Sequence, residues 1–190
     1  MDPQETFILA IDQSTSATKT MLFNRDAGLV DRVTVPHRQL YPQNGWVEHD
    51  PEEIFNNTLE GIKQLIAKTR ISESQIDSIA ITNQRETAMM WDRISGQPVY
   101  NAVVWQCQRG IETCDRLKKE NKGPLIKEIT GLIIDPYFSA SKLKWLVDHV
   151  KDLPEKIRRG NVLAGTMDSW LVWKLTGGRV HVTDYSNACR

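Results

Sequence analysis

The stretch FILAIDQSTSATKTMLFN, residues 7–24, decides the fold of this chain. Its two ends are apolar, and its middle crowds together one acid and five hydroxyl side chains: Asp12, Ser14, Thr15, Ser16, Thr18 and Thr20. Alternating and β-branched residues on both sides of a polar turn predict a β-hairpin. A third run of this kind, at residues 29–35, follows the turn residues at 25–28. The sequence therefore predicts a three-stranded antiparallel meander.

A helix and a further strand follow the meander. Asp50, Pro51 and Glu53 stand in the order of a helix start, with an acidic N-cap, proline at the first position and glutamate at the third. Apolar residues then recur at helical spacing to about Thr69. Residues 76–82 follow, and their centre at 79–81 is apolar on both faces. This pattern predicts a covered central strand and, with the preceding helix, a crossover unit.

The rest of the chain predicts two more strands and four helices. The strands are expected at 88–92 and 99–105, and the helices at about 110–120, 125–130, 139–150 and 167–175. We find no repeat and no linker rich in Pro, Gly or Ser, so we expect one continuous domain. A meander, a crossover and then mixed strands and helices predict an α/β domain with a mixed sheet and flanking helices. Ribonuclease H-like phosphotransferase domains, of the actin and hexokinase type, are built in this order.

Composition excludes several classes of function. The 190 residues are 40% apolar, and 24 basic side chains balance 24 acidic ones, so no overall positive field attracts nucleic acid. The three cysteines lie at no metal-binding spacing and indicate free thiols in a reducing compartment. The first apolar run is too short for a signal peptide or a membrane span. We expect a cytoplasmic protein with no membrane span and no nucleic-acid partner.

The first hairpin turn has the chemistry of a phosphate site. A carboxylate that ends an apolar strand before a tight turn suits a site that holds phosphate through a divalent metal. Asp12 is the candidate for the metal, Thr15 and Ser16 for the phosphate oxygens, and Lys19 for the charge. Alternatively, these residues only form the turn, since Asp, Ser and Thr bond readily to nearby backbone. The chain has no P-loop and no G-x-G-x-x-G motif, so a phosphate site here belongs to another class.

A second candidate site follows the predicted central strand, where ligands collect in open α/β sheets. Arg85 offers a fork of donors and Glu86 a pair of acceptors, a combination that suits vicinal hydroxyls. Aromatic faces such as those of Trp105 and Tyr137 pack against the C–H side of a polyol. We expect the four side chains to line one small cavity. The alternatives are a solvated ion pair and two aromatic residues of the core.

These segments together resemble, almost from end to end, the N-terminal part of the FGGY carbohydrate kinases. Within that family the likeness is greatest to the members that phosphorylate glycerol. The segments that carry the resemblance are the hairpin at 7–24, GWVEHDP at 45–51, ITNQRET at 81–87, VWQC at 104–107, IDPYFS at 134–139 and VHVTDY at 180–185.

The resemblance implies an actin- and hexokinase-like ATPase fold and an ATP-dependent kinase with ATP and Mg²⁺ as cofactors. It implies that glycerol or a related polyol is the substrate and that the full-length protein is a homo-oligomer. It also implies a role for each candidate residue. Asp12 is the catalytic and metal-binding residue, Thr15, Ser16 and Lys19 serve the phosphates, and Arg85, Glu86, Trp105 and Tyr137 bind the polyol. The family usually has Gly where this chain has Ser14, and its glycerol kinases typically have Arg where this chain has Lys19.

One part of the kinase machinery is absent from these residues. In the family, an Asp within a Gly-Asp-Gln motif orients the attacking hydroxyl, and the sequence has no such motif. We therefore expect residues 1–190 to be most of the N-terminal domain of a longer kinase, and to be inactive alone. Two alternatives stay open: a kinase for another polyol or a ketose, and a non-catalytic binding module on the same fold.

Overall fold

The computed structural model describes residues 5–190, and the contacts between residues divide the chain into two compact units. The first unit holds the chain up to Arg38 together with Glu52–Gln84, and the second holds Gln39–Pro51 together with Arg85–Arg190. Each unit is assembled from two separate segments of the chain, and no linker in the sequence marks the division between the units. For that reason the sequence alone predicts one continuous domain. The expectation that residues 1–190 make up most of one kinase domain stays a prediction.

Helices and strands are interspersed along the described chain. The strands are β1 (Phe7–Gln13), β2 (Ala17–Phe23), β3 (Leu29–Pro36), β4 (Glu48–His49), β5 (Ile76–Asn83), β6 (Ala88–Asp92), β7 (Ala102–Val103) and β8 (Val162–Thr166). The helices are α1 (Pro51–Thr69), α2 (Ile111–Lys119), α3 (Gly123–Thr130), α4 (Ser139–His149), α5 (Leu153–Arg158), α6 (Met167–Leu175) and α7 (Tyr185–Ala188). None of the helices within residues 5–190 is long and apolar enough to cross a bilayer.

The first unit contains the predicted meander, with sheet order β3-β2-β1-β5. Strands β1, β2 and β3 pair antiparallel, and β5 pairs parallel to β1, so the sheet is mixed as predicted. Its core joins Phe7, Leu9 and Leu22 of the sheet to Leu65 of α1 and to Ile71. Each such side chain contributes about 1.5–3 kcal/mol on burial. This packing holds the turn between β1 and β2 at one end of a stable sheet.

Strand β5 exists where the sequence predicts it, but the predicted burial is wrong. It lies at the edge of the sheet, and Ile79 at its centre is 50% exposed. Residues 77–80 are all exposed within the part of the chain that the structure describes. The run of β-branched residues identified the strand correctly, because such side chains are enriched in strands. It did not determine burial, because burial depends on which elements pack against the strand.

The second unit has its own four-stranded sheet, with order β4-β7-β6-β8 and antiparallel pairing throughout. Five buried residues form a core cluster: Met90, Val103, Cys107, Leu146 and Leu153. Helix α4 packs on this sheet through Leu146, and the residues that precede α4 carry part of the candidate site.

The predicted helices at 110–120, 125–130, 139–150 and 167–175 are confirmed as α2, α3, α4 and α6, and α1 ends at Thr69 as expected. The predicted strand at 99–105 is reduced to Ala102–Val103, because the chain turns at Val104, whose carbonyl accepts the N–H of Cys107 at 2.9 Å. Strand β8 and helices α5 and α7 were not predicted. They are four to six residues long, too short for a periodic pattern to identify.

Candidate functional site

The turn between β1 and β2 presents the Asp12 carboxylate in the first unit. Asp12 pairs with Lys19 across the antiparallel ladder, with 3.1 Å between Lys19 Nζ and Asp12 Oδ2. The Ser14 hydroxyl donates to Asp12 Oδ1 at 3.1 Å, and the turn closes through the Ser14 N–H and the Ala17 carbonyl at 2.9 Å. Because both charged side chains are partly exposed, the pair is worth at most about 1 kcal/mol and can be rearranged by a ligand.

Residues around the turn hold its backbone in place. His37 Nε2 donates to the Thr15 carbonyl at 2.9 Å, and the His37 N–H donates to the Ser16 carbonyl at 3.2 Å. Burial lowers the pKa of His37 below its ordinary value, although the Thr15 carbonyl and Glu53 partly oppose this effect. The ring is therefore neutral at neutral pH. The turn that carries the Thr15 and Ser16 hydroxyls is thus held by both the ring and the backbone of His37.

Serine at position 14 is compatible with this turn. A residue with a positive φ usually has to be glycine, but Ser14 is not among the described residues whose φ is positive. Its side chain adds a hydrogen bond to Asp12 that glycine could not make. The departure from the family's usual glycine is therefore accommodated without backbone strain.

The donor set at the turn fits a magnesium ion that is bound together with nucleotide phosphates. Asp12 supplies one partly exposed carboxylate, and no group of three or more acidic, His or Cys side chains that could hold a metal occurs within residues 5–190. Mg²⁺ typically binds through one or two carboxylates, with water and substrate phosphates completing its coordination. The Asp12 turn fits this mode and does not fit a cage made entirely of protein ligands.

The second candidate site is built around a strained turn at Glu86. The Thr87 N–H donates to the Arg85 carbonyl at 2.8 Å, so Glu86 is the central residue of a three-residue turn, with φ of +60°. This γ-turn conformation is rare for a residue that has a Cβ, and such strain concentrates at ligand sites. The Ser139 hydroxyl donates to the Glu86 carbonyl at 3.2 Å. The turn holds a carboxylate in a fixed, buried position.

The buried Glu86 side chain is neutralised by Arg190. Arg190 Nε lies 2.6 Å from Glu86 Oε1, and the Glu86 side chain is only 3% exposed. The Arg190 guanidinium also lies over the rings of Tyr137 and Phe138, at 5.8 and 5.3 Å from their centroids. An ionised carboxylate has about four lone-pair sites, so Oε2 and part of Oε1 still have acceptor capacity for a ligand.

Trp105 and Tyr137 form the aromatic part of the same cluster. Their ring centroids are 5.7 Å apart and the planes meet at 68°, an edge-to-face contact. The Trp105 N–H of the backbone donates to the Thr87 hydroxyl at 3.2 Å, next to Glu86. The Tyr137 N–H donates to Asp135 Oδ1 at 2.8 Å. Both rings are half-buried, so part of each ring is exposed to solvent.

Contacts in the second unit thus bring together three of the four predicted side chains, Glu86, Trp105 and Tyr137. Arg85 is adjacent to Glu86 in the chain, and its side chain is exposed. Two cavities in this unit, of about 340 and 450 Å³, both have Arg190 in their lining, but none of the four predicted side chains. Neither of these two cavities is the shared cavity expected from the sequence, and that cavity stays a prediction.

Sequence reasoning did not identify Arg190 or Lys142 as part of this site. Lys142 Nζ donates to the carbonyls of Pro136 and Tyr137 on the segment that carries the Tyr137 ring. A lysine within the amphipathic pattern of a helix is usually exposed, but Lys142 is fully buried. The one available signal was the position of Lys142 in α4, a few residues after Tyr137, on the same side as Leu146.

Two solved structures that superpose on this chain are kinases. A glycerol kinase of Plasmodium falciparum, solved with ADP, superposes with a TM-score of 0.90 at 35% identity, and the match covers 98% of this chain and 37% of that one. A gluconate kinase of Lactobacillus acidophilus superposes with a TM-score of 0.83 at 22% identity, over 98% of this chain and 36% of that one. The second likeness concerns the fold alone. The fold is that of carbohydrate kinases with an actin- and hexokinase-like architecture.

Sequence comparison identifies the family. A family model for the N-terminal domain of the FGGY carbohydrate kinases matches residues 7–190. Glycerol kinase 1 of Thermotoga maritima is 56% identical over 184 residues, and a glycerol kinase of Symbiobacterium thermophilum is 50% identical over 184 residues. Each match covers 97% of this chain and 37% of the relative's length. The chain belongs to the FGGY family of carbohydrate kinases and spans about 37% of the length of these curated relatives.

Proposed function

We propose that this chain is the N-terminal part of an ATP-dependent kinase that transfers the γ-phosphoryl group of ATP to a primary hydroxyl of glycerol. The observation that carries the proposal is the cluster in which Arg190 pairs with the buried Glu86 carboxylate and lies over the Tyr137 ring, which in turn contacts the Trp105 ring. A small polyol needs acceptors for its hydroxyls and an apolar surface for its C–H groups, and this cluster supplies both. The similarity to glycerol kinases favours glycerol over the sugar substrates of other kinases in the family.

We propose a role in substrate binding for each residue of the cluster. The Glu86 carboxylate accepts hydrogen bonds from two polyol hydroxyls through the lone pairs that Arg190 does not occupy. The exposed Arg85 guanidinium donates to the oxygen of one hydroxyl. Trp105 and Tyr137 pack against the carbon backbone of the substrate. Together these groups orient one primary hydroxyl for attack.

The turn after β1 serves the nucleotide in this proposal. Thr15 and Ser16 donate hydroxyl and backbone N–H groups to phosphate oxygens, and Lys19 balances the phosphate charge. Asp12 holds the magnesium ion, which when bound neutralises the charge that develops on the transferred phosphoryl group. In the absence of nucleotide, Lys19 neutralises Asp12. With nucleotide bound, Lys19 would pair with phosphate and Asp12 with the magnesium ion.

A substrate panel on the full-length protein tests the proposal. Phosphorylation of glycerol, erythritol, xylulose and dihydroxyacetone is measured in a coupled assay for ADP. We expect the highest kcat/KM with glycerol. A preference for a ketose contradicts the choice of substrate, and no phosphorylation of any polyol or sugar favours a non-catalytic binding module. We expect the isolated residues 1–190 to turn over no ATP in the same assay.

Location and assembly are part of the proposal as well. We propose a cytoplasmic protein, supported by three cysteines that form no disulfide, of which Cys107 and Cys114 are buried.

We propose a homo-oligomer at full length. Sedimentation of the full-length protein tests this proposal, and a monomer at micromolar concentration contradicts it.

A further inference from the structure

Lys142 is a fully buried lysine that the proposed function does not use. Its Nζ donates to three successive carbonyl oxygens: Pro136 at 2.6 Å, Tyr137 at 2.5 Å and Phe138 at 3.2 Å. An ammonium group has three N–H donors, so the number of donors equals the number of acceptors. The three acceptors lie on the segment that leads into α4 and carries the Tyr137 ring.

Burying a charged lysine in this way costs free energy. Moving an ammonium group out of water is strongly unfavourable, and hydrogen bonds to carbonyls only offset that cost. A methionine would fill the same volume in the core without the penalty. The carbonyls of three consecutive residues accept hydrogen bonds from the Lys142 ammonium group, which thereby links the backbone at Tyr137 to helix α4.

We propose that Lys142 is a positioning residue that holds the 136–138 backbone so that the Tyr137 ring stays against Trp105 in the ligand-ready arrangement. The ring contact measures 5.7 Å between centroids and depends on where the backbone places Tyr137. The role of this ring toward a polyol rests on the proposed function. The link between Lys142 and the backbone rests only on the three hydrogen bonds.

Protonation of Lys142 makes the arrangement sensitive to pH. Burial lowers the pKa of Lys142 to about 8. The titratable groups that face it oppose this shift: they are Cys107, Glu86, Cys114 and Asp135. Below that pH the ammonium serves all three carbonyls. Above it a neutral amine has two N–H donors for three carbonyls and no charge to strengthen the bonds, so the backbone at Tyr137 is held less firmly.

The test compares Lys142→Met with Lys144→Met in the full-length protein. Lys144 lies on the same helix, is exposed, and pairs with Asp148 on the surface, so its variant is a matched control. We expect Lys142→Met to weaken glycerol binding about tenfold or more, measured by calorimetry, while the affinity for nucleotide stays unchanged. We expect the glycerol affinity of the wild type to decline above about pH 8, and this decline to be absent in Lys142→Met. Lys144→Met should behave as the wild type.

Amide hydrogen exchange gives a readout that needs no ligand. The amides of Tyr137 and Phe138 donate to Asp135, and we expect them to exchange faster in Lys142→Met than in Lys144→Met. Equal exchange and equal glycerol affinity in the two variants overturn the inference. If the wild type binds no glycerol, the proposed function fails, and the exchange comparison alone decides the role of Lys142. If Lys142→Met does not fold, the pH profile of the wild type decides, and a flat glycerol affinity between about pH 7 and pH 9.5 overturns the inference.

Discussion

Arg190 and Glu86 form an ion pair, with 2.6 Å between Nε and Oε1, although 104 positions separate them in the chain. The pair is asymmetric, since the Glu86 side chain is 3% exposed and the Arg190 side chain is 27% exposed. Removing one partner of a buried pair leaves an uncompensated charge, at a cost of about 3–5 kcal/mol when both are fully buried. Because Arg190 is partly exposed, we expect a smaller cost here. Arg190 therefore fixes the acceptor of the candidate polyol site.

Replacing Arg190 tests this relationship. We expect Arg190→Met to weaken glycerol binding about tenfold in the full-length protein, because Glu86 is no longer held in one position. We also expect a lower urea midpoint. Arg159→Met is the control, since Arg159 is 67% exposed and pairs with Glu155 on the surface. Calorimetric titration with glycerol measures the affinity, and equal values for the two variants contradict the prediction.

The contact between the rings of Trp105 and Tyr137 should be measurable as a coupling energy. We expect a double-mutant cycle of Trp105→Leu and Tyr137→Leu to give about 0.5–1.5 kcal/mol of coupling in glycerol binding, as aromatic pairs do. Each single variant also loses its own contact with the ligand, and the cycle subtracts that loss. Additive effects would show that the two rings act independently.

Asp12 should affect the chemical step and leave polyol binding intact. We expect Asp12→Asn to lower kcat about a hundredfold or more, because one fixed charge is lost where the phosphoryl group is transferred. Glycerol affinity should stay within about twofold of the wild type, since the residues proposed to bind the polyol are other side chains. Asp31→Asn is the control in the same unit, because Asp31 forms a surface pair with Lys68 at 2.6 Å. A kcat for Asp12→Asn equal to that of Asp31→Asn contradicts the assignment.

His37 should make stability depend on pH in the acidic range. Its pKa in the folded protein is lower than the ordinary value of 6.5, so on acidification the unfolded chain takes up the proton first. The free energy of unfolding therefore falls as the pH drops below about 6.5, and the fall ends below the folded pKa. Above that range the ring is neutral in both states and contributes no pH dependence.

The measurement compares urea midpoints of the wild type and His37→Gln across this range. Glutamine can donate to the Thr15 carbonyl but does not titrate, so carboxylates account for its remaining pH dependence. We expect the wild type to lose more stability than His37→Gln between about pH 6.5 and pH 5. Parallel curves for the two proteins would show that folding does not lower the pKa of His37.

The hairpin and the helices were predictable because their signals are local. Alternation from Phe7 to Phe23 identifies β1 and β2, and the Asp50-Pro51 start together with helical spacing identifies α1. The burial of β5 was not predictable from Ile79 and its neighbours, because burial depends on what packs against them. Strand β8 escaped prediction because five apolar or small residues carry no clear period.

The candidate site divides in the same way. Glu86, Trp105 and Tyr137 were identifiable because each residue type has the chemistry of polyol binding and lies in a segment that resembles the FGGY kinases. Arg190 could not be identified from the sequence, because its contact with Glu86 spans 104 positions and no pattern along the chain indicates that contact. Lys142 could not be identified either. Helical spacing indicates which face of the helix is apolar, and it cannot show that an ammonium group is buried and bonded to three carbonyls.

By itself, the sequence determined the meander, the crossover helix, the family, and the residue types available for phosphate and polyol, since all of these depend on short-range preferences and local motifs. Tertiary structure alone decided that the chain forms two compact units and that Arg190 neutralises Glu86. It also decided that Lys142 is buried and hydrogen-bonds to the segment that carries Tyr137. The physical reason is that burial and the pairing of charges depend on distances between side chains far apart in the chain, and only packing sets those distances.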